Sequence, residues 1–344
     1  MRVPVFLALL SAATFGAATP VSKALLTSLY PFQLAGLLYL GAAAGLFPLM
    51  VLGGRLRSVC GTDRKTRERL LGAVLLGGVC GPVALLFGLR LASAASVSMW
   101  LNLELAATSV LGHFLFRDHV GRHGWLAVAG TLAASVLLSW GEGVVGIPAG
   151  LLVALACLCW GFDNHLTALI GGLTPTETAF WKGLVAGTTN LLLGLSAERI
   201  VGSGPTVASA LILGALSYGA SIALYIASAQ RLGATRSQIV FASAPFFGVI
   251  LSILLLGETM SPSQGVAGVL LIGSLVFLFL DRHVHAHAHV ADVHVHWHRH
   301  DDGHHTHIHQ GFPVGGWHSH EHAHEPTVHA HPHWPDLHHR HAHD

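Results

Sequence analysis

Two stretches of this chain, residues 84–138 and 225–279, are similar to each other along their whole length. Each runs from an apolar segment through an Arg-Leu connector, at residues 90–91 and 231–232, into a second apolar segment, a short polar turn and a Gly-rich apolar segment. The period is too long for a solenoid, whose units span about 20 to 50 residues. In an apolar chain, such a duplication is typical of a transporter built from two related halves.

The composition assigns the body of the chain to a membrane. Hydrophobic residues make up 52% of the sequence, and Asp, Glu, Lys and Arg together only 10%, compared with about 25% in soluble domains. The mean hydropathy is +0.59 although the segment after residue 282 is strongly polar. The 40 glycines are typical of helices that approach one another closely in lipid, and the four cysteines lack the spacing of a disulfide framework.

Apolar segments of membrane-spanning length recur along the chain, since a helix needs about 20 apolar residues to cross a bilayer. They predict ten transmembrane helices, five in each half, at residues 3–27, 32–53, 70–90, 95–116, 123–140, 147–170, 177–197, 206–229, 237–256 and 263–281. A cleaved signal peptide at residues 3–19 is the alternative interpretation of the first segment.

Basic residues indicate the orientation of these helices. Lys and Arg concentrate in alternate connectors, most strongly between residues 55 and 69, and such connectors stay in the cytoplasm. This predicts a multi-pass protein of the cell (inner or plasma) membrane with both termini cytoplasmic. Because each half has an odd number of helices, the halves enter the membrane in opposite senses. The predicted fold is an all-α membrane protein of two inverted five-helix repeats, residues 1–141 and 142–282, followed by a disordered His-rich tail at residues 283–344.

Short motifs in both halves point to one transporter family. The motifs are a Phe-Gly or Trp-Gly pair in the opening helix of each half (15–16 and 160–161), Lys23, Arg-Leu-Gly-Ala-Thr at 231–235, Ser-Ala-Pro at 243–245 and Gly-Glu-Thr at 257–259. Together they resemble the EamA family of the drug/metabolite transporter superfamily. The resemblance covers residues 1–281 and does not extend to the tail.

The resemblance implies a permease, often an exporter, that moves a small solute by alternating access without an ATPase domain. No Walker motif occurs in the sequence, which agrees with this, and no enzymatic activity is expected. The first half departs from the family pattern. Asn-Leu-Glu at 102–104 stands in place of the Pro-containing motif, and Arg-Asp at 117–118 in place of Gly-Glu.

Ionisable residues at membrane depth are functional candidates, since charge in lipid is costly and is rarely placed there without use. Glu104 lies in the middle of the fourth predicted helix, where a carboxylate could bind a cation or carry a coupling proton. The alternative is a structural glutamate, hydrogen-bonded to Asn102 or to a neighbouring helix. Asp163 lies in the middle of the sixth predicted helix, beside Asn164 and His165, and is the second candidate for the substrate or coupling-ion site.

Cys159 adds a metal-binding alternative to this stretch. Cys159 and Asp163 share one helical stripe, and their sulfur and oxygen ligands suit Zn, Ni or Co. His165 is about 200° from Asp163 around a regular helix, so one straight helix cannot present both to one ion. The structural interpretation is a small core cysteine and a His165 bonded to neighbouring backbone. Lys23 either extends to the membrane interface or balances an anionic substrate.

After residue 282 the sequence changes character. All but four of the 27 histidines lie in this tail, many at alternate positions, where an extended chain would place them on one side. Its composition predicts disorder, and His-rich tracts are typical of metal binding. The predicted ligands are His283, His285, His287, His289, His294, His296, His298, His300, His304, His305, His307, His309, His318, His320, His322 and His324. The expected metal is divalent Zn, Ni, Co or Cu, and no cofactor is required for chemistry.

The favoured function is export of a transition-metal cation, Ni, Co or Zn, by a secondary transporter of the EamA type. A close alternative is an exporter of an amino acid or similar metabolite whose tail only regulates it. A third is a membrane-held metal buffer or sensor without transport, for which no flux would depend on Glu104 or Asp163. The expected partners are the lipid bilayer and the solute or metal ion, with no nucleic acid, and a homodimer is left open.

Overall fold

A computed structural model describes residues 2–52, 59–116, 120–199 and 202–280, and the backbone of four segments of the tail. Some residues used above lie outside this part of the chain: Arg55, Arg57, Arg117, Asp118, His300, His304, His305, His307 and His309. The described body consists of helices and their connectors, which confirms the predicted all-α class.

Fifteen α-helices build the described body. The first half contains α1 (Arg2–Gly16), α2 (Ala18–Leu25), α3 (Pro31–Leu52), α4 (Arg64–Gly72), α5 (Gly81–Leu91), α6 (Ala94–Trp100), α7 (Leu103–Leu115) and α8 (Arg122–Gly141). The second half contains α9 (Gly146–Ala168), α10 (Pro175–Ala197), α11 (Gly204–Leu213), α12 (Ser221–Leu232), α13 (Ala234–Phe241), α14 (Ala244–Leu256) and α15 (Pro262–Leu280).

Within the described residues, eight helical runs are long and apolar enough to cross a membrane. They are Val3–Leu25, Pro31–Leu52, Arg64–Leu91, Ala94–Leu115, Arg122–Gly141, Gly143–Ala168, Gly204–Leu232 and Ser237–Leu256. The apolar part of α15, Pro262–Phe277, is shorter. Helix α10 is long enough but is not among the eight, and it carries Glu177, Lys182 and Asn190. By this criterion, eight of the ten predicted spans are supported.

Local sequence signals set the ends of several helices. Thr174 accepts a hydrogen bond from the backbone N–H of Glu177, and the Glu177 carboxylate accepts one from the N–H of Thr174. This capping box, followed by Pro175 in the first turn, begins α10. Helix α14 ends at Leu256 and is capped by Gly257, whose φ of +67° lies in the left-handed region that glycine adopts without strain.

The first helix of each half packs into the other half. Helix α1 lies against α12 and α14, and α9 lies against α5 and α7. Glycines permit this approach: a Cβ added at Gly16 would lie 2.5 Å from the Cβ of Phe247, and one at Gly161 would lie 3.1 Å from the backbone N of Thr108. The crossing brings α9, which carries Asp163, beside α7 in the first half.

Both halves interrupt the same helices. A π-helical segment, Ala73–Cys80, lies between α4 and α5, and another, Gly214–Ala220, lies between α11 and α12. Short breaks at residues 101–102 and 242–243 separate α6 from α7 and α13 from α14. With the two Arg-Leu connectors aligned, both pairs of irregularities coincide. π-helical turns are rare, so their occurrence at matching positions indicates that these parts of the two halves correspond to each other.

The described segments of the tail form strands: β1 (His283–His289), β2 (Asp292–His298), β3 (His318–His324) and β4 (Thr327–His333). β1 pairs with β4 and β2 with β3, both antiparallel. Histidine alternates there with Val, Ala and other residues, a pattern that suits paired strands. The disorder predicted for the tail as a whole stays a prediction.

The corner between α5 and α6 is held by two carboxylates from other parts of the chain. The Glu258 carboxylate accepts hydrogen bonds from the backbone N–H groups of Ala94 and Ala95, both at 2.8 Å. The Glu142 carboxylate accepts one from the Ser93 hydroxyl at 2.6 Å. Negative charge at the N-terminus of a helix is favourable, so Glu258 fastens the second half to the start of α6.

We expect Glu258→Ala to destabilise the protein by about 1–2 kcal/mol, because two N–H groups at the start of α6 lose their acceptor. The measurement is thermal unfolding of the purified chain in detergent. Glu68→Ala is the control, since Glu68 pairs with Arg64 on an exposed helix surface and such pairs contribute little. Equal melting temperatures for the two variants would contradict the proposed role of Glu258.

Candidate functional site

A cavity with about 470 Å³ of empty space, including its opening, lies inside the helical body. Its wall has six aromatic residues, Phe15, Tyr39, Trp160, Tyr218, Tyr225 and Phe241. Its polar and aliphatic lining consists of Glu104, Asp163, Asn164, Thr167, Lys182, Ile222 and Ile226. Both halves therefore contribute to the site, and three of its side chains are ionisable.

A buried ion pair crosses one side of the cavity. The Lys182 ammonium, on α10, donates to Oδ2 of Asp163, on α9, and the two side chains are 3% and 7% exposed. Gly77 in the π-helical segment makes room for this carboxylate, since a Cβ there would lie 2.2 Å from Oδ2. Among the described residues, Oδ1 of Asp163 has no hydrogen-bond partner. One oxygen of Asp163 is thus held by Lys182, and the other is available to a ligand.

Glu104 joins α7 to α9 through an amide. Its Oε1 accepts a hydrogen bond from the Asn164 Nδ2 at 2.9 Å, and the same nitrogen lies 3.2 Å from Thr108 Oγ1 and 3.3 Å from Gln238 Oε1. Asn102 instead donates to the backbone carbonyl of Met99. The hydrogen-bond partner of Glu104 is therefore on a neighbouring helix, α9, and is not Asn102.

Glu104 also faces a second, smaller cavity with about 320 Å³ of empty space. Ser98, Thr19, Gln238 and Pro245 are among the residues that line it. Phe15 and Phe241 line both cavities, with ring centroids 5.3 Å apart. Glu104 and this pair of rings thus form the boundary between the two spaces.

Neither His165 nor Cys159 lines the cavity. His165 Nε2 is 3.0 Å from the carbonyl oxygen of Thr108, and its ring stacks on Phe116 with centroids 4.3 Å apart. Cys159 is buried but is not part of the cavity lining. Within the part of the chain that the structure describes, no group of three or more His, Cys, Asp or Glu side chains is placed to hold a metal ion. The positive partner of Asp163 in the structure is the Lys182 ammonium.

Lys23 stabilises a helix end. Its ammonium donates to the carbonyl oxygens of Leu89 and Ala92, at 2.7 and 2.8 Å, at the C-terminus of α5. Cations are favourable at that end of a helix, where carbonyl groups lack partners within the helix. Lys23 does not line either of the two described cavities, and its expected role in substrate binding or at the interface stays a prediction.

Two members of the site were missed in the sequence analysis. Lys182 was not among the predicted site residues, although it is a lone Lys in an apolar segment and the rule for charge at membrane depth nominates it. Tyr225, whose hydroxyl has no partner among the described residues, carries no sequence signal that distinguishes it from other core aromatics.

Removing one member of the ion pair leaves the other charge buried, at a cost of about 3–5 kcal/mol. We therefore expect Asp163→Asn and Lys182→Met each to lower stability strongly, and the double variant to recover most of the loss. Unfolding in detergent is measured for all three and for the parent chain. If the double variant lowers the free energy of unfolding by as much as the two single variants together, the ion pair is not the source of the effect.

Comparison with known proteins agrees with this architecture. A family model, the EamA-like transporter family, matches residues 2–140 and 147–280. An "Uncharacterized transporter" of Methanothermobacter thermautotrophicus is 24% identical over 288 residues, covering 77% of this chain and 82% of that protein. A protein of known crystal structure, 18% identical, matches with a TM-score of 0.63 over 81% of this chain and 97% of its own, a likeness of fold alone. Because the family model covers most of the sequence, the chain belongs to the EamA-like transporter family.

Proposed function

We propose that this chain is a secondary transporter that carries a small organic solute through the cavity lined by α1, α7, α9, α10 and α12. The observation behind the proposal is a cavity with buried ionisable groups inside an apolar helical body. Charge at such a position is costly and is typical of a transport pathway. Two buried polar atoms at the cavity, Asp163 Oδ1 and the Tyr225 hydroxyl, have no partner among the described residues and are suited to bind a solute.

The proposal extends to the topology. Helices α10 and α15 would complete a set of ten spans, since they pack along α3 and α8. Residues 1–141 and 142–282 would be inverted repeats, which the coincident π-helical segments and helix breaks support. Alternating access would then open the two cavities in turn, with Phe15 and Phe241 between them. Both termini would lie in the cytoplasm of a cell whose plasma membrane holds the exporter.

A transition-metal cation is the second candidate substrate, favoured by the histidine tail. The backbone register of the strands places histidines opposite histidines, for example His285 opposite His331 and His296 opposite His320. Imidazole suits Zn, Ni, Co and Cu. The cavity itself offers two carboxylates and a lysine, with no histidine or cysteine in its lining. We therefore favour an organic solute for the cavity and propose that the tail binds metal for regulation.

The test compares cells without the protein and cells that produce one of four versions of it: the full chain, a chain ending at Arg282, Glu104→Gln and the control Glu68→Gln. Cells are exposed to Ni, Co or Zn, and mass spectrometry measures cell-associated metal and the organic solutes released into the medium. We expect the full chain, the truncated chain and Glu68→Gln to raise the same organic solutes in the medium, and Glu104→Gln not to do so.

The other outcomes identify the alternatives. Lower cellular metal that depends on Glu104 would replace the organic solute with the metal candidate. Higher cell-associated metal that is lost only in the truncated chain, without any change in organic solutes, would indicate a metal buffer and would overturn the transport proposal.

A further inference from the structure

When Glu104 is ionised, the charges around the cavity do not balance. Its lining contains two carboxylates, Glu104 and Asp163, and one ammonium, Lys182. Lys182 is bound to Asp163, so the pair is neutral together. Among the described residues, no Lys, Arg or His nitrogen lies within 4.0 Å of the Glu104 carboxylate, and its hydrogen-bond partner Asn164 is uncharged. Glu104, only 6% exposed, is therefore a buried carboxylate without its own cation.

The aromatic residues that line the cavity with these charges form a continuous surface, the aromatic wall. The Phe15 ring contacts those of Tyr218 and Phe241, at centroid distances of 5.5 and 5.3 Å. The Tyr225 ring lies 5.1 Å from that of Phe241, and the Tyr39 ring 5.3 Å from that of Tyr218. Ring faces attract organic cations and cover apolar groups, whereas they offer no ligand to a hydrated metal ion.

From these two observations we infer that the cavity binds an organic ammonium compound with an apolar body, in contact with Glu104 and with the aromatic wall. The inference rests on the proposed function and specifies its substrate class. The ammonium supplies the charge that Glu104 lacks, and the rings cover its hydrocarbon part. Asp163 Oδ1 and the Tyr225 hydroxyl, both buried and without partners among the described residues, can accept its N–H groups.

The same balance disfavours the other classes of organic solute. An anion adds a second unbalanced negative charge, because Lys182 is already bound to Asp163. A zwitterion has no net charge, so the net charge of the occupied cavity stays negative. A neutral solute gains the aromatic wall but supplies no cation to Glu104, which must then take up a proton instead of remaining charged.

The experiment uses the purified full chain in lipid nanodiscs and four probes that share one aromatic body. These are phenethylamine, the neutral 2-phenylethanol, the anion 3-phenylpropionate and the zwitterion phenylalanine. We expect phenethylamine to bind at least about tenfold more tightly than each of the others, a difference of about 1.4 kcal/mol. Glu104→Gln should remove this preference, and Glu68→Gln, on the exposed surface of α4, should keep it.

A second variant protects the test against misfolding of Glu104→Gln. Tyr225→Phe removes only an unpartnered hydroxyl, so the protein should fold at least as well while phenethylamine affinity falls about three- to tenfold. Equal binding of 2-phenylethanol and phenethylamine, or a preference unaffected by Glu104→Gln, would overturn the inference.

Flux in proteoliposomes separates this failure from failure of the proposed function. If phenylalanine or 3-phenylpropionate crosses the membrane in a Glu104-dependent way and phenethylamine does not, the transporter proposal stands and the ammonium inference fails. If none of the four probes and no solute released by cells is transported, the proposed function itself fails.

Discussion

The buried ion pair between Asp163 and Lys182 is the interaction on which the rest of the site depends. Two opposite charges in an apolar bundle are tolerated only when they meet, and meeting requires α9 and α10 to be held in a fixed relation. Gly77 and its π-helical segment provide the space for the carboxylate. Gly161, on α9, lets that helix cross into the first half and contact α7. Several departures from regular helix packing thus accommodate the charges.

The two halves share a frame but differ in chemistry. The π-helical segments, the breaks before α7 and α14, and the crossings at Gly16 and Gly161 recur in both halves. The ionisable residues do not recur: in the repeat, Glu104 stands where the second half has Pro245. A frame with internal symmetry suits alternation between two states of similar energy, and asymmetric side chains make the single site selective. In the proposed transporter, selectivity therefore comes from the positions where the repeat fails.

Much of the helical architecture could be predicted from the sequence, because apolar segments and internal repeats are visible in the order of the residues. The all-α class, the family and the burial of Glu104 and Asp163 follow from such properties. The helical wheel also separated His165 from Asp163, and His165 indeed contacts Thr108 instead of the ion pair. Partners could not be predicted, because Lys182 meets Asp163, and Lys23 meets the end of α5, only after helices distant in sequence have packed. The alternation of histidines in the tail was visible in the sequence, but the pairing of β1 with β4 and of β2 with β3 joins segments that are distant in the chain and could not be predicted from it.

The claim that this cavity is the transport pathway is tested most directly by asking whether reagents dissolved in water reach it. In a chain without its native cysteines, Ile222→Cys places a thiol in the cavity lining, and Leu216→Cys, at a side chain that is 58% exposed on an outer surface of the helical body, is the control. We expect a charged, membrane-impermeant methanethiosulfonate to modify the protein with Ile222→Cys much faster than the control, and an excess of transported solute to slow this reaction. Modification of Ile222→Cys no faster than that of the control would contradict the claim that this cavity is the transport pathway.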